Sequence, residues 1–388
     1  MTELAVLFVL LPLAAASGWL VGYGQRKRRI RQGSVLSRRY FRGLNYLLNE
    51  ESDKAIEEFL QLAEVNRDTV DTHLALGTLF RRRGEMDKAI RYHKHIIARP
   101  NLDEDQRERV LFELGLDYMR AGLLDRAERL FLELIDSAQV GVSSRRHLLD
   151  IYQQEKDWPQ AIEQAQRLEL VDGEPTSRLV AQLRCELADQ ALEAGDPERA
   201  LQNLRQARRY EPANARARLI EGEIARREGS LDVACERYRE ACELDPDLLV
   251  VWSETIVSAH RESDAINLFK DWLAGLGQRT HGNAPALLLA RLTAETNPRE
   301  AAKLLLATLQ ERSTVRGLEL LMDLLNASEL GLQEVGPELI RDLMQQLLQR
   351  QPIYRCQQCG FSGSSHHWMC PSCRHWNSTR VIRGVLGE

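Results

Sequence analysis

Residues Ala215–Pro246, ARARLIEGEIARREGSLDVACERYREACELDP, decide the fold. Apolar positions recur at helical spacing in two runs, separated at Gly229, and Pro246 ends the second run because it can neither donate a backbone hydrogen bond nor continue the helix. Gly222 and Ala234 are small where two helices must cross closely, with Tyr238 and Ala241 following in the second run. The stretch predicts a helix–turn–helix hairpin.

The same template recurs along the chain. Its alanine falls at Ala55, Ala89, Ala127, Ala161, Ala200, Ala234, Ala265 and Ala301. Twelve residues earlier stand Gly43, Gly77, Gly115 and Gly222, and five earlier stand Gly84, Gly122, Gly195 and Gly229. Asp53, Asp87, Asp125 and Asp232 precede the alanine by two, where an acid suits the positive end of a helix dipole. A period of about 34 residues with these columns resembles the tetratricopeptide repeat, whose hairpins stack into a superhelix. The repeats around Ala265 and Ala301 lack both glycines and read as degenerate. Extra residues fall around Pro100–Asp105 and Asp172–Thr176. Terminal helices are expected at Thr314–Leu325 and Pro337–Gln349.

The chain has 388 residues, 28% of them charged, and a net charge of −5, so bulk charge names no partner. Leu4–Gly24 carries no charge over 21 residues, enough to cross a bilayer core as a helix. Arg26, Lys27, Arg28, Arg29 and Arg31 follow it, the reverse of a secretory signal's charge order despite the small patch at Ala14–Ser17. The expectation is an uncleaved single-span anchor with a very short outer tail and the remaining chain in the cytoplasm. Ala14, Gly18 and Gly22 share one face of that helix, either as a packing surface for another span or as ordinary span composition. The basic stretch from Arg26 to Arg42 suits anionic lipid at the membrane surface better than nucleic acid.

Near the C-terminus, Cys356-Gln357-Gln358-Cys359-Gly360 precedes Cys370-Pro371-Ser372-Cys373. Two facing C-x-x-C loops supply four thiolates, the closed set that structural zinc prefers, and iron is the second candidate. His366 or His367 could replace a thiolate but is not needed. Tyr354, Phe361, Trp368 and Trp376 would form a small apolar shell. The knuckles resemble rubredoxin, although Arg374 replaces the glycine expected after the second knuckle and the spacer is shorter. Cys185, Cys235 and Cys242 lie in the repeats, where free cysteine acts as a small hydrophobe.

The organisation is therefore an all-α repeat superhelix behind one transmembrane helix, with a small rubredoxin-like metal domain. Its segments are an anchor (1–24), a basic linker (25–34), the array (35–310), capping helices (311–351) and the metal domain (352–388). Transferring the repeat family's groove positions gives Asp71, Leu74, Thr78, Arg81 and Arg82; then Arg109, Phe112, Leu116, Met119 and Arg120; then Arg216, Leu219, Glu223, Arg226 and Arg227. Arginines among apolar groups would suit a polypeptide with acidic and hydrophobic side chains, or form an ordinary solvated face. No phosphate-binding glycine loop, H-E-x-x-H or G-x-S-x-G is present, so no enzyme is expected.

The order of parts, with Tyr354–Phe361, Trp368–Cys373 and Ile382-Arg383-Gly384 as its most specific stretches, resembles the LapB (YciM) family of lipopolysaccharide assembly proteins in Gram-negative bacteria. That resemblance implies a non-enzymatic inner-membrane adaptor. It would promote degradation of the deacetylase LpxC by the membrane protease FtsH, opposed by PbgA (YejM), alongside other lipopolysaccharide assembly proteins. A membrane-tethered redox module and an RNA-binding zinc ribbon, with Arg374, Arg380 and Arg383 as its cations, are the alternatives. A homodimer stays open beside a monomer.

Overall fold

A computed structural model describes residues 70–327 except 101, 174, 281 and 313, residues 352–383, residue 345, and scattered positions between 41 and 58. The expected anchor, its Ala14/Gly18/Gly22 face, the basic linker and, apart from residue 345, the helix at Pro337–Gln349 lie outside the described residues. Among the described residues, no helix is long and apolar enough to cross a membrane.

Two compact units divide at Asp157/Trp158. The described helices of the first are α1 (Val70–Arg82), α2 (Met86–Ile97), α3 (Glu104–Arg120), α4 (Leu124–Glu133) and α5 (Gly141–Glu155). The second contains α6 (Trp158–Asp172), α7 (Ser177–Glu193), α8 (Pro197–Tyr210), α9 (Ala215–Arg227), α10 (Leu231–Leu244), α11 (Leu248–Glu262), α12 (Ile266–Arg279), α13 (Ala284–Ala294), α14 (Pro298–Glu311) and α15 (Val315–Ala327). It also contains a three-stranded antiparallel sheet, ordered β2 (Ser362–Gly363), β1 (Tyr354–Cys356), β3 (Thr379–Val381).

The two glycine columns do different work. In the first helix of a hairpin, a Cβ at Gly77 would lie 2.1 Å from His93, one at Gly115 2.8 Å from Phe131, and one at Gly222 2.7 Å from Tyr238. Each glycine thus receives a ring from the second helix, sixteen residues along the chain. In the turn, Gly84, Gly122, Gly195 and Gly229 have φ between 74° and 81°, the left-handed region that glycine enters without steric cost. Lys156 (φ 59°) and Asp264 (φ 56°) take the same conformation in two hairpins that lack the turn glycine.

Asp264 corrects the alanine column. Ala89, Ala127, Ala161, Ala200, Ala234 and Ala301 are all fully buried at the fourth residue of their helices. Ala265 instead stands just before α12 and is half-buried, while the fully buried fourth residue of α12 is Phe269. His260 of α11 stacks on Phe269 at 4.1 Å between centroids, and Trp272 also stacks on Phe269, at 5.5 Å. This pair meets through rings where the other hairpins use small residues.

The inserted residues between repeats have local roles. Asp103 accepts from the Gln106 amide in a capping box that starts α3. Thr176, also buried, donates to the Ala165 carbonyl at 3.0 Å and ties α6 to the start of α7. The expected terminal helix at Thr314–Leu325 is α15.

Candidate metal centre and its seat on the repeats

Three short strands and two knuckles place the cysteines. β1 ends at Cys356, and Gly360 turns the chain back with φ 77°, letting the Cys356 amide donate to the Phe361 carbonyl at 2.7 Å. Arg374 takes φ 57° at the matching position after Cys373, so the arginine adopts the backbone that glycine would supply. All four cysteine sulfurs lie within 4.8 Å of one another. Cys356 and Cys373 are 3.6 Å apart, and Cys359 and Cys370 are 3.8 Å apart. A tetrahedral metal with bonds of about 2.3 Å to sulfur requires edges of roughly 3.8 Å, so the donor set fits zinc.

Electrostatics point the same way. Burial opposes ionisation of Cys356, but contacts with the Ser378 hydroxyl and the amides of Cys359 and Gln358 outweigh it and bring the thiol down to about 6. The Phe361 amide lowers Cys359. The His375 amide favours a thiolate at Cys373, yet burial and the sulfurs of Cys359, Cys356 and Cys370 push that thiol up to about 12. Four sulfurs this close cannot all carry charge without a cation among them, and a divalent ion supplies it. His366 does not join the sulfurs; its ring packs edge-on between Tyr354 and Trp368.

The metal domain is seated on the second unit's helices. Arg380 pairs with Asp245 just after α10, and Arg383 pairs with Asp247 at 2.8 Å. Trp376 meets Trp158 of α6 edge-on, and the Arg216 guanidinium of α9 lies 5.2 Å from the Trp368 ring centroid. Arg380 and Arg383, two of the three cations named for an RNA-binding ribbon, are thus paired with carboxylates of the repeats.

Comparison with known proteins agrees with these parts. The tetratricopeptide repeat family matches residues 42–99, 112–175 and 185–248, and the rubredoxin metal binding domain family matches residues 354–380. Lipopolysaccharide assembly protein B of Escherichia coli K12 is 34% identical over 387 residues, 99% of this chain and 100% of that protein. The chain belongs to the lipopolysaccharide assembly protein B family. The Haemophilus influenzae protein of that name is 30% identical, covering 97% of this chain and 98% of its own. Among solved structures, a tetratricopeptide repeat protein from Parabacteroides merdae overlays with a TM-score of 0.34 at 13% identity, covering 66% of this chain and 98% of that one.

In this member of the assembly protein B family, the expected groove residues have unequal surroundings. Asp71 pairs with Arg109 at 2.5 Å, while Arg81 bonds Glu113 at 2.6 Å and Asp117 at 2.8 Å, so these residues tie α1 to α3. Phe112 packs edge-on against Phe131 at 5.7 Å. Arg226 and Arg227 share Glu223, at 3.1 and 2.8 Å. Met119 is half-buried; Arg82 and Arg120 are exposed and form no ion pair among the described residues.

Sequence reasoning passed over a buried polar centre in the first unit. Fully buried His93 donates from Nδ1 to fully buried Asp117 at 2.5 Å, and Arg81 bonds the other Asp117 oxygen. His93 fills the ring column beside Gly77, the only signal in the sequence that it points inward. A carboxylate held by two cationic or hydrogen-bonding partners is worth keeping buried only as a set, because removing one partner strands the rest.

Proposed function

We propose that this chain is a non-enzymatic inner-membrane adaptor in lipopolysaccharide assembly, which presents the deacetylase LpxC to the membrane protease FtsH, with PbgA opposing it. The observation that carries the proposal is the end-to-end likeness to lipopolysaccharide assembly protein B, at 34% identity. Stacked helical repeats with a metal domain seated on them suit a broad polypeptide-binding surface.

Leu4–Gly24 spans the membrane once in this reading, its trailing arginines keep the repeats in the cytoplasm, and Ala14, Gly18 and Gly22 pack against a partner's span. The metal is zinc in a structural role. Topology reporters fused after Glu388 should be active only if they work in the cytoplasm. Replacing Gly18 and Gly22 with leucine should preserve insertion and reduce copurifying membrane proteins.

The decisive experiment follows LpxC half-life by pulse–chase as the chain is depleted. The half-life should lengthen when FtsH is active and stay the same when it is not. An unchanged half-life on depletion would remove the adaptor reading.

A further inference from the structure

Ser378 touches the four-sulfur centre without belonging to it. Its side chain is buried and reaches from the turn before β3 to the first knuckle, where Oγ lies 3.3 Å from Cys356 Sγ. The backbone fixes it in that place. Asn377 takes φ 49° and donates its amide to the Trp368 carbonyl at 2.6 Å. The Ser378 carbonyl accepts from the Gln357 amide at 2.9 Å, and Thr379, the next residue, pairs with Cys356 in the β1–β3 ladder. Both neighbours of the hydroxyl are therefore tied to the knuckle that it faces.

A serine hydroxyl has a single proton to give, and this one has two acceptors within reach. Besides Cys356 Sγ there is the His375 carbonyl, 2.9 Å from Ser378 Oγ. While Cys356 keeps its proton, the bonds run in one direction. The thiol donates to the hydroxyl, and the hydroxyl donates to the carbonyl.

A metal takes the thiol proton away and leaves a charged acceptor. Cys356 is 1% exposed, so bulk water cannot solvate that charge, whereas Cys359 is exposed and can draw on solvent. The His375 carbonyl loses little if the hydroxyl turns from it, because it also accepts the Cys370 amide at 3.0 Å. A hydrogen bond to an ionised acceptor is roughly twice as strong as one to a neutral carbonyl, which decides where the proton goes.

We propose that Ser378 is a positioning residue of the metal centre, its hydroxyl turning from the His375 carbonyl to the Cys356 thiolate when metal binds and so helping to retain the metal. Two effects follow from one bond. It stabilises a buried thiolate, so its loss weakens metal binding. It also withdraws electron density from the sulfur, so its loss favours the oxidised state of a redox-active metal held there. The inference rests on the four-thiolate reading of the centre and is independent of the adaptor reading.

The test uses the full-length protein in detergent, once with zinc and once exchanged to iron as a probe. Zinc affinity is read by competition with a chromophoric chelator, and the iron potential by voltammetry. Ser378→Ala should weaken zinc binding by about tenfold or more and move the iron potential to a more negative value. Ser378→Thr, which keeps the hydroxyl, should restore both.

Parent-like zinc affinity in Ser378→Ala would overturn the proposal. So would weakened affinity with an unmoved iron potential, or equal loss in the alanine and threonine variants, since either result describes packing and not a bond to sulfur. A parent chain that binds no metal would remove the four-thiolate reading and this proposal together. A parent that binds zinc while Ser378→Ala changes nothing would remove this proposal alone.

Discussion

Arg216 is 5% exposed and lies between the carboxylates of α7 and the ring of Trp368, whose chain neighbour but one is Cys370. A repeat residue and a metal-domain residue therefore share one contact two positions from a metal ligand. Trp368→Ala should loosen the metal domain from the helices at a cost of about 1–2 kcal/mol, the range of a largely desolvated cation–π pair. Limited proteolysis should cut faster between residues 352 and 383 in the variant, with Asp245→Ala acting in the same direction through Arg380.

Close helix approach through Gly222 gives a prediction with an internal control. Gly222→Ala places a methyl 2.7 Å from Tyr238 and should destabilise by about 1–3 kcal/mol, as overpacking does. Gly275→Ala, inside α12 with nothing within 4 Å of the new methyl, should stabilise by roughly 0.4–1 kcal/mol. Urea midpoints followed by circular dichroism should move in opposite directions.

His73 should make the first unit acid-sensitive. Its ring bonds the Tyr92 hydroxyl at 2.7 Å, and burial, followed by the charges of Arg99 and His95, lowers its pKa from 6.5 to about 4. The unfolded chain thus binds a proton between these values and the folded chain does not. Stability from this group is full above pH 6.5 and is lost as the pH falls towards 4, by an amount on the order of 1–3 kcal/mol. His73→Gln, which keeps a neutral partner for Tyr92, should flatten the dependence between pH 7 and pH 4.5.

The repeats were readable because glycine and alanine leave periodic marks where backbones come close. Gly77, Gly115 and Gly222 kept their register, and the four knuckle cysteines needed no fold to be found. Phe269 was not readable as the counterpart of Ala234 in its repeat, since a ring breaks the small-residue column there; in the fold it stacks on His260. Nor could spacing join Arg380 to Asp245, 135 residues apart, or show that Arg81 faces Asp117 rather than solvent. Both depend on how stacked hairpins curve, a property of all the interfaces together.

The metal centre offers the most direct check on the account, by measuring zinc per chain and protease resistance before and after chelation. A segment of this size has too little core to fold without its staple. The expected result is one zinc per chain, with chelation exposing residues 352–383 to cleavage while α1–α15 remain helical. Cys356→Ser and Cys370→Ser should reproduce the chelated pattern. A chain that copurifies without metal, or whose 352–383 segment resists protease equally well after the metal is stripped, would contradict a thiolate-bound metal as the element that holds this domain together.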